Sequence, residues 1–254
     1  FSVTQENKKK YGEVHTDFKL INKILDIIPN KYFTDPTLKW LDPCAGRGYF
    51  TIGIFNRLFK GLKVIKNKEK RRNHIIKEML FINEINNDYI INLKNIFGEK
   101  SNITNFDFLK QKFQQFDFIV GNPPYNSYEF KNQSNYNSMW QSFTKKSVES
   151  LRPGGFLCYI MPSIWMKKSH VFFDYMLEFD IQKIFTLNTL ETKKEFHGEA
   201  QVPTCYFLLK NTKNTKKTKI YDQINKKYIR FVPNNTSLPL NTVSIIKKLQ
   251  KYVK

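Results

Sequence analysis

The stretch Phe116-Asp117-Phe118-Ile119-Val120-Gly121-Asn122-Pro123-Pro124-Tyr125 sets the strongest limit on how this chain can fold. Phe116 to Val120 reads as a buried strand. Pro123 and Pro124 have no N–H to give a ladder, so the strand must stop there. Asn122 and the carbonyl of Pro123 are therefore held rigidly at a strand end. Side by side, an amide oxygen and a backbone carbonyl can accept both hydrogens of one –NH2 group. Tyr125 adds a flat face on which a planar ring can stack. The bend is thus a cradle for a planar amine, such as the exocyclic nitrogen of adenine. Taken alone, the same residues also read as a Pro-Pro loop with an Asn cap.

The rest of the chain alternates helices with strands. Phe18, Ile21, Ile24, Leu25 and Ile28 recur at helical spacing, with Thr16 or Asp17 as N-cap and Pro29 as the stop. Leu38 to Asp42 reads as a strand, Ala45-Gly46-Arg47-Gly48 as a glycine turn, and Tyr49 to Leu62 as a second amphipathic helix. A lysine-rich link over 63–72 leads to a strand at Met79–Asn83. A helix over 87–97 and a short strand before Asp107 follow. Beyond the proline bend come a polar loop (126–137) and a helix to about Leu151. Pro153-Gly154-Gly155 then turns into the strand Phe156–Met161. A helix near 168–178 and strands at 181–187 and Thr204–Lys210 complete the pattern. It predicts an α/β fold, Rossmann-like and doubly wound, with a mostly parallel sheet and helices on both faces.

Residues 211–254 are rich in Lys and Arg and hold one acid, Asp222. They read as a basic hairpin (about 218–232) and a helix (about 242–253) with Ile245, Ile246 and Leu249 inward. This predicts two parts, a domain over 1–210 and a small basic module over 211–254. The formal charge of +20, from 42 basic and 22 acidic residues, points to a polyanionic partner, most simply nucleic acid. A solvated, lysine-coated surface would give the same balance.

Cys44, Cys158 and Cys205 are odd in number and widely spaced, which gives neither a disulfide framework nor a zinc pattern and implies a reducing compartment. His15, His74, His170 and His197 show no ligand spacing, so no metal is expected. The longest apolar stretch, Gly154 to Met166, is broken by Pro162 and is too short to cross a bilayer. The first ten residues have no apolar core for a signal peptide, and the missing initiator Met places the expected N-terminus upstream.

Three further segments fall at predicted strand ends. Asp42 opens Asp-Pro-Cys-Ala-Gly-Arg-Gly, where a glycine turn permits close approach of a ligand to the backbone. The spacing is neither the dinucleotide fingerprint nor a phosphate loop. An acid there would repel phosphates and suits a cationic or amine-bearing ligand; a capping turn is the plainer alternative. Glu84 follows the second strand, where a carboxylate commonly takes two ribose hydroxyls; it also reads as an exposed strand-end acid. Asp107 with Phe108 could accept from an adenine amine and enclose its ring, or be an ordinary loop pair. All end at one edge of the sheet, the edge where open α/β sheets bind ligands.

The series DPCAGRGYF, NEIN, NFDFL and GNPPY resembles the signature motifs of S-adenosylmethionine-dependent N6-adenine DNA methyltransferases, in the order of the gamma group. Tyr11-Gly12-Glu13-Val14-His15-Thr16 resembles that group's N-terminal cofactor motif, with Asp17 where the family usually has proline. LRPGGFLCYIMPSIW and FHGEAQVPTCYFLLKN resemble its later strands, so the resemblance covers residues 11–210.

The resemblance implies a seven-stranded methyltransferase sheet and S-adenosyl-L-methionine as cofactor. Asp42, Ala45, Gly46 and Gly48 would border the methionine end, and Thr16 would bind its carboxylate. Glu84 would hold the ribose, Ile85 would pack on adenine, and Asp107 with Phe108 would recognise the adenine edge. Asn122, Pro123, Pro124 and Tyr125 would form the catalytic bend around the target base, with Phe196 sandwiching that base. The implied reaction is methyl transfer to N6 of adenine in DNA, with the base flipped out and the transfer in line. Methyltransferases that modify a glutamine of translation release factors carry the same Asn-Pro-Pro-Tyr. A protein glutamine or RNA therefore stays open as substrate, as does a cofactor-binding subunit that needs a partner.

Lys213, Lys216, Lys217, Lys219, Lys226, Lys227 and Arg230 are the candidates for gripping phosphates. Tyr128, Lys131 and Tyr136 of the polar loop are candidates for contact near a flipped base, the alternative being a plain polar connection. The expected partners are DNA and a restriction endonuclease or specificity subunit, with no membrane and no metal. The expected location is wherever that DNA is, in cytoplasm, nucleoid or nucleus.

Overall fold

The computed structural model describes residues 16–125, 139–215, 217–232 and 236–249. Lys216, the loop residues Tyr128, Lys131 and Tyr136, and the motif Tyr11–His15 lie outside them.

The first helix, α1 (Phe18–Leu25), starts where expected: Asp17 is the N-cap, its Oδ1 accepting from the Leu20 N–H at 2.8 Å. Leu20, Ile21, Ile24 and Leu25 form its buried face. The chain then runs through a 3₁₀ turn (Asn30–Phe33) into β1 (Trp40–Asp42) and α2 (Tyr49–Gly61). Gly53 lets α1 and α2 close on each other, since a Cβ there would lie 2.7 Å from Ile21 Cγ2 and 3.1 Å from Leu25 Cδ1. The packing brings the chain just before α1, including Thr16, down to the sheet.

The stretch expected as a lysine-rich link is partly helical. Asn67 caps α3 (Lys68–His74), accepting from the Lys70 N–H at 2.9 Å, and a π turn (Ile75–Met79) carries the chain into β2 (Leu80–Asn83). Arg71 ties this helix down by donating to the carbonyls of Ile65 and Phe59. Then come α4 (Asn87–Phe97), β3 (Asn102–Thr104), β4 (Phe116–Gly121), α5 (Met139–Ser150) and β5 (Leu151–Pro162). The Pro153-Gly154-Gly155 turn expected before β5 is instead a bulge inside it: pairing with β4 jumps from Phe116↔Leu151 to Phe118↔Phe156. The helix expected near 168–178 shrinks to a 3₁₀ turn (Ser163–Met166) and a short α6 (Phe173–Leu177). After β6 (Phe179–Leu187) an unforeseen helix, α7 (Thr189–Glu195), is fixed by a capping box between Asn188 and Glu191. The chain ends in β7 (Thr204–Lys213), β8 (Lys219–Asp222), β9 (Lys227–Arg230) and α8 (Val243–Leu249).

The nine strands among the described residues join one sheet in the order β3-β2-β1-β4-β5-β7-β6-β8-β9. Pairing is parallel from β3 to β5, and β7 runs antiparallel between β5 and β6. The fold class is the expected one, a mostly parallel α/β sheet, but the described residues form nine strands rather than seven. The expected basic hairpin is β8–β9, and it does not stand apart. Its first strand pairs parallel with β6 through Lys183↔Lys219 and Ile184↔Ile220, and so extends the sheet by two strands. In α8, Val243 is buried, but Ile245 is 45% and Leu249 58% exposed, so the inward placement expected for them is corrected.

Rings stack across the sheet beneath the site. Trp40 of β1 lies 4.0 Å from Phe118 of β4, nearly parallel to it, and Phe118 lies 5.0 Å from Phe156 of β5. Offset aromatic packing of this kind adds to area burial and holds the central strands in register.

Candidate active site

The order of the strands reverses between β1 and β4. Ligands in open α/β sheets bind at that switch point, outside the carboxyl ends of the strands. Asp42 ends β1, Glu84 follows β2, Asp107 follows β3 and Asn122 follows β4, so the topology brings all four to this edge.

On the β1–β2 side, backbone and side chains are laced together. Glu84 Oε2 accepts from the Gly46 N–H at 2.6 Å and Oε1 from the Asn86 N–H at 2.8 Å. The Ala45 N–H donates to the Asn83 carbonyl at 3.0 Å. Asn83, 1% exposed, is the hub: its Nδ2 donates to the carbonyls of Pro43 and Phe106, and its Oδ1 accepts from Thr104 Oγ1. It thereby sets the β1 turn against the loop after β3. Asn105 Nδ2 adds bonds to the carbonyls of Glu84 and Ile85. The sequence signal of this hub is a polar residue closing an apolar strand; its partners lie 21 to 40 residues away and are set by the fold.

The two glycines of the turn serve different ends. Gly46 (φ +54°) faces open space, with nothing within 4 Å of a Cβ built on it. Gly48 (φ +87°) is a packing residue, since a Cβ there would lie 2.7 Å from Leu93 Cδ2 of α4. Ile85, which follows the strand-end acid, and Phe106, whose carbonyl Asn83 holds, are each 48% exposed. Asp107 accepts from the Leu109 N–H and pairs with Lys110 at 3.2 Å. Phe108 is buried against Phe113 and Phe143.

Asp42 is buried to 1% exposure. Thr51, one turn into α2, donates to its Oδ2 at 2.7 Å, while Oδ1 has no hydrogen-bond partner among the described residues. Burial pushes its carboxyl up from 3.8 to about 7, against the pull of the Thr51 bond. A cationic ligand beside Oδ1 would favour the ionised form.

Asn122 closes the site from the β4 side. Its Nδ2 donates to Thr16 Oγ1 at 3.0 Å, and its backbone carbonyl accepts from Cys44 Sγ at 3.4 Å. Burial, reinforced by the charges of Asp42 and Glu84, raises the Cys44 thiol and keeps its proton in place. Asn122 Oδ1 is buried with no partner among the described residues, and so is the Tyr125 hydroxyl. Pro123 is buried and Pro124 partly so. Tyr125 is only 7% exposed, and Phe196 is wholly buried in the core, with no ring face at the surface.

The basic candidates do not form one patch. Lys226 and Lys227 lie in and just after the β8–β9 turn, at the same edge as Asn122, because Lys227 pairs with Asp222 at the carboxyl end of β8. Lys219 and Arg230 pair with each other midway down the sheet. Lys213 pairs with Phe179 at the start of β6, a strand length (about 25 Å) from the site edge. Lys217 precedes β8 on that far side. Among the described residues no cluster of three or more His, Cys, Asp or Glu side chains could hold a metal ion, and no helix is long and apolar enough to cross a membrane.

A doubly wound sheet with an antiparallel seventh strand thus brings a proline bend and a glycine turn together at its switch point. The model of the Eco57I restriction-modification methylase family matches residues 56–193, more than half of the chain, and the chain belongs to that family. A Mycoplasma pneumoniae protein described as an uncharacterized adenine-specific methylase is 40% identical over 73 residues, covering 27% of this chain and 17% of that protein. The fold resembles the type I restriction-modification methyltransferase subunit of Streptococcus thermophilus, with a TM-score of 0.60, 16% identity, and 97% of this chain and 54% of that one covered. It also resembles a nuclease-deletion mutant of the Type ISP restriction-modification enzyme LlaGI, in complex with a DNA substrate mimic. There the TM-score is 0.68 at 14% identity, over 89% of this chain and 31% of that one. The chain spans about half, or less, of the length of these relatives.

Proposed function

We propose that this chain is the catalytic part of an adenine-specific DNA methyltransferase that moves a methyl group from S-adenosyl-L-methionine to N6 of adenine. The observation that carries the reading is Asn122: a carboxamide held at the switch point by its nitrogen, with its oxygen buried and without a partner among the described residues. A buried acceptor left unmet costs about 1–3 kcal/mol, which an amine donor would recover. Family membership and the Mycoplasma relative support adenine as the acceptor.

The residues present fit the donor. Gly46 leaves open space above the turn, Glu84 and Asn83 hold that turn still, and Asp42 Oδ1, without a partner among the described residues, could meet a cation. Glu84 fixes the turn at the strand end where a ribose would lie, and Ile85 offers an apolar face. When bound, the donor supplies an electrophilic sulfonium methyl.

Asn122 Oδ1 and the Pro123 carbonyl accept the two amino hydrogens of the target. Drawing those hydrogens out of the ring plane localises the nitrogen lone pair. A nitrogen prepared in this way would take the methyl that a bound donor supplies, and the proton displaced from it would leave to water. Catalysis is then positioning and electrostatics, with no covalent intermediate on the chain. A base inside a duplex cannot reach this bend, so the target is flipped out. Lys226 and Lys227, on the site edge, are the best placed of the basic residues to touch the backbone. Residues 1–210 act as the methyltransferase domain, 211–254 as a basic module, and a restriction endonuclease or specificity subunit would complete the assembly.

The test is incubation of the purified chain with labelled S-adenosyl-L-methionine and, in separate tubes, duplex DNA free of N6-methyladenine, single-stranded DNA, RNA and a release factor. Label recovered as N6-methyladenine from DNA supports the reading. Label found only in RNA or in protein glutamine overturns it.

A further inference from the structure

The resemblance gives Thr16 to the donor's carboxylate, whereas the geometry points to another role: we infer that Thr16 is a positioning residue, the anchor that holds the Asn122 carboxamide with its oxygen toward the target amine. This rests on the proposed role of Asn122. The two residues are 106 positions apart and meet through one bond, Asn122 Nδ2 to Thr16 Oγ1 at 3.0 Å. Thr16 is 5% exposed.

A carboxamide has a donor end and an acceptor end, exchanged by a half-turn about its last bond. Only the oxygen end can receive an –NH2 group; the nitrogen end would set donor against donor. A hydroxyl can serve either end, and here it serves the nitrogen, so the oxygen is the end that remains. That terminal torsion is broad in an unrestrained asparagine, so orientation must come from a partner.

The placement of the anchor follows from the fold. Thr16 directly precedes the N-cap of α1, and α1 is seated on α2 through Gly53. Cys158 Sγ also contacts the Ile24 carbonyl near the far end of α1, fixing it on β5. The hydroxyl is therefore set by the packing of a helix, not by a loose terminus. Cys44 restrains the Asn122 backbone independently, which leaves the side-chain torsion to Thr16.

The experiment compares wild type with Thr16→Val, which keeps the shape and removes the hydroxyl, and Thr16→Ser, which restores it; Thr16→Ala replaces the valine variant should that fail to fold. The substrate is duplex DNA free of N6-methyladenine. The Val variant is expected to lose about 10- to 100-fold in kcat, the scale of a misplaced reacting group, with donor Kd within threefold of wild type. The Ser variant is expected to recover most of the rate. In donor-free protein, the side-chain amide NMR signals of Asn122 (assigned by their disappearance in Asn122→Ala) are expected to shift and exchange faster with solvent in Val and not in Ser. Unchanged amide signals in the Val variant, an unchanged kcat, or a loss confined to donor affinity would each overturn the inference. If wild type itself makes no N6-methyladenine while the amide signals respond as described, the functional reading falls and the anchor stands.

Discussion

The two flanks of the switch point differ in how fully their polar atoms are used. On the β1–β2 flank Glu84, Asn83 and Asn105 bond to the backbone of the neighbouring loops, and the turn from Pro43 to Gly48 is held before any ligand arrives. On the β4 flank, Asn122 Oδ1 and the Tyr125 hydroxyl are buried without partners among the described residues. The loops of the first flank form a finished seat, while Asp42 Oδ1 at the end of β1 and the two polar atoms of the second flank stay unmet among the described residues. Under the proposed function, a donor seated on the first flank would leave the unmet Asn122 oxygen to act on the reacting nitrogen.

The largest expected effect comes from abolishing the unfinished flank. Asn122→Ala should cut kcat by on the order of 10³-fold, the scale of removing one key electrostatic group, while calorimetry finds donor affinity within a few-fold of wild type. A variant that still turns over at the native rate would dissolve the distinction between the flanks. Next is the hub of the finished flank. Asn83→Ala removes the donor to the carbonyls of Pro43 and Phe106 and should cost about 1–3 kcal/mol in urea unfolding. A loss below about 0.5 kcal/mol would show that the turn holds itself.

Asp42 stands between the flanks, and its effect is a pH dependence. Its folded value, about 7, lies above the ordinary 3.8, so the folded protein keeps a proton that the unfolded chain gives up. This part of donor-free stability is present below about pH 4 and is lost as pH rises through 7. A cationic donor reverses the preference. Its affinity should rise about tenfold from pH 6 to pH 8, with proton release on binding near neutrality. Affinity flat across that range would mean that Asp42 does not face the donor.

The smallest effect concerns the lysines. Lys226→Glu with Lys227→Glu should weaken DNA binding several-fold at low salt and flatten its salt slope. Lys213→Glu with Lys217→Glu should change it little. Equal losses from both pairs would point to a DNA path along the whole sheet edge instead of one confined to the site edge.

Much of this was legible in the sequence because it is local. The proline bend, the glycine turn, a cap at Thr16 or Asp17 and the helix over 87–97 follow from neighbouring residues. What was not legible depends on distant partners. The Thr16–Asn122 bond needs the packing of α1 on α2. The β8–β9 hairpin was readable as a hairpin, but its pairing with β6 was not, since no local pattern names the neighbouring strand. The helix at Lys68–His74 lacks an apolar stripe and is made by a cap and by Arg71 reaching back to carbonyls. Ile245 and Leu249 show the converse: helical spacing gave an apolar stripe, yet only Val243 of that helix is fully covered.

The added ribbon also bears on how the molecule can be cut. Strand β6 is apolar at Ile181 and Ile184, and β8 occupies its outer side at Lys183 and Ile184. A fragment trimmed after Lys210 would bare that flank as a row of unspent amides and carbonyls along a greasy strand, a template for molecules to zip together. Shortened versions should therefore clump where the longer chain stays dispersed.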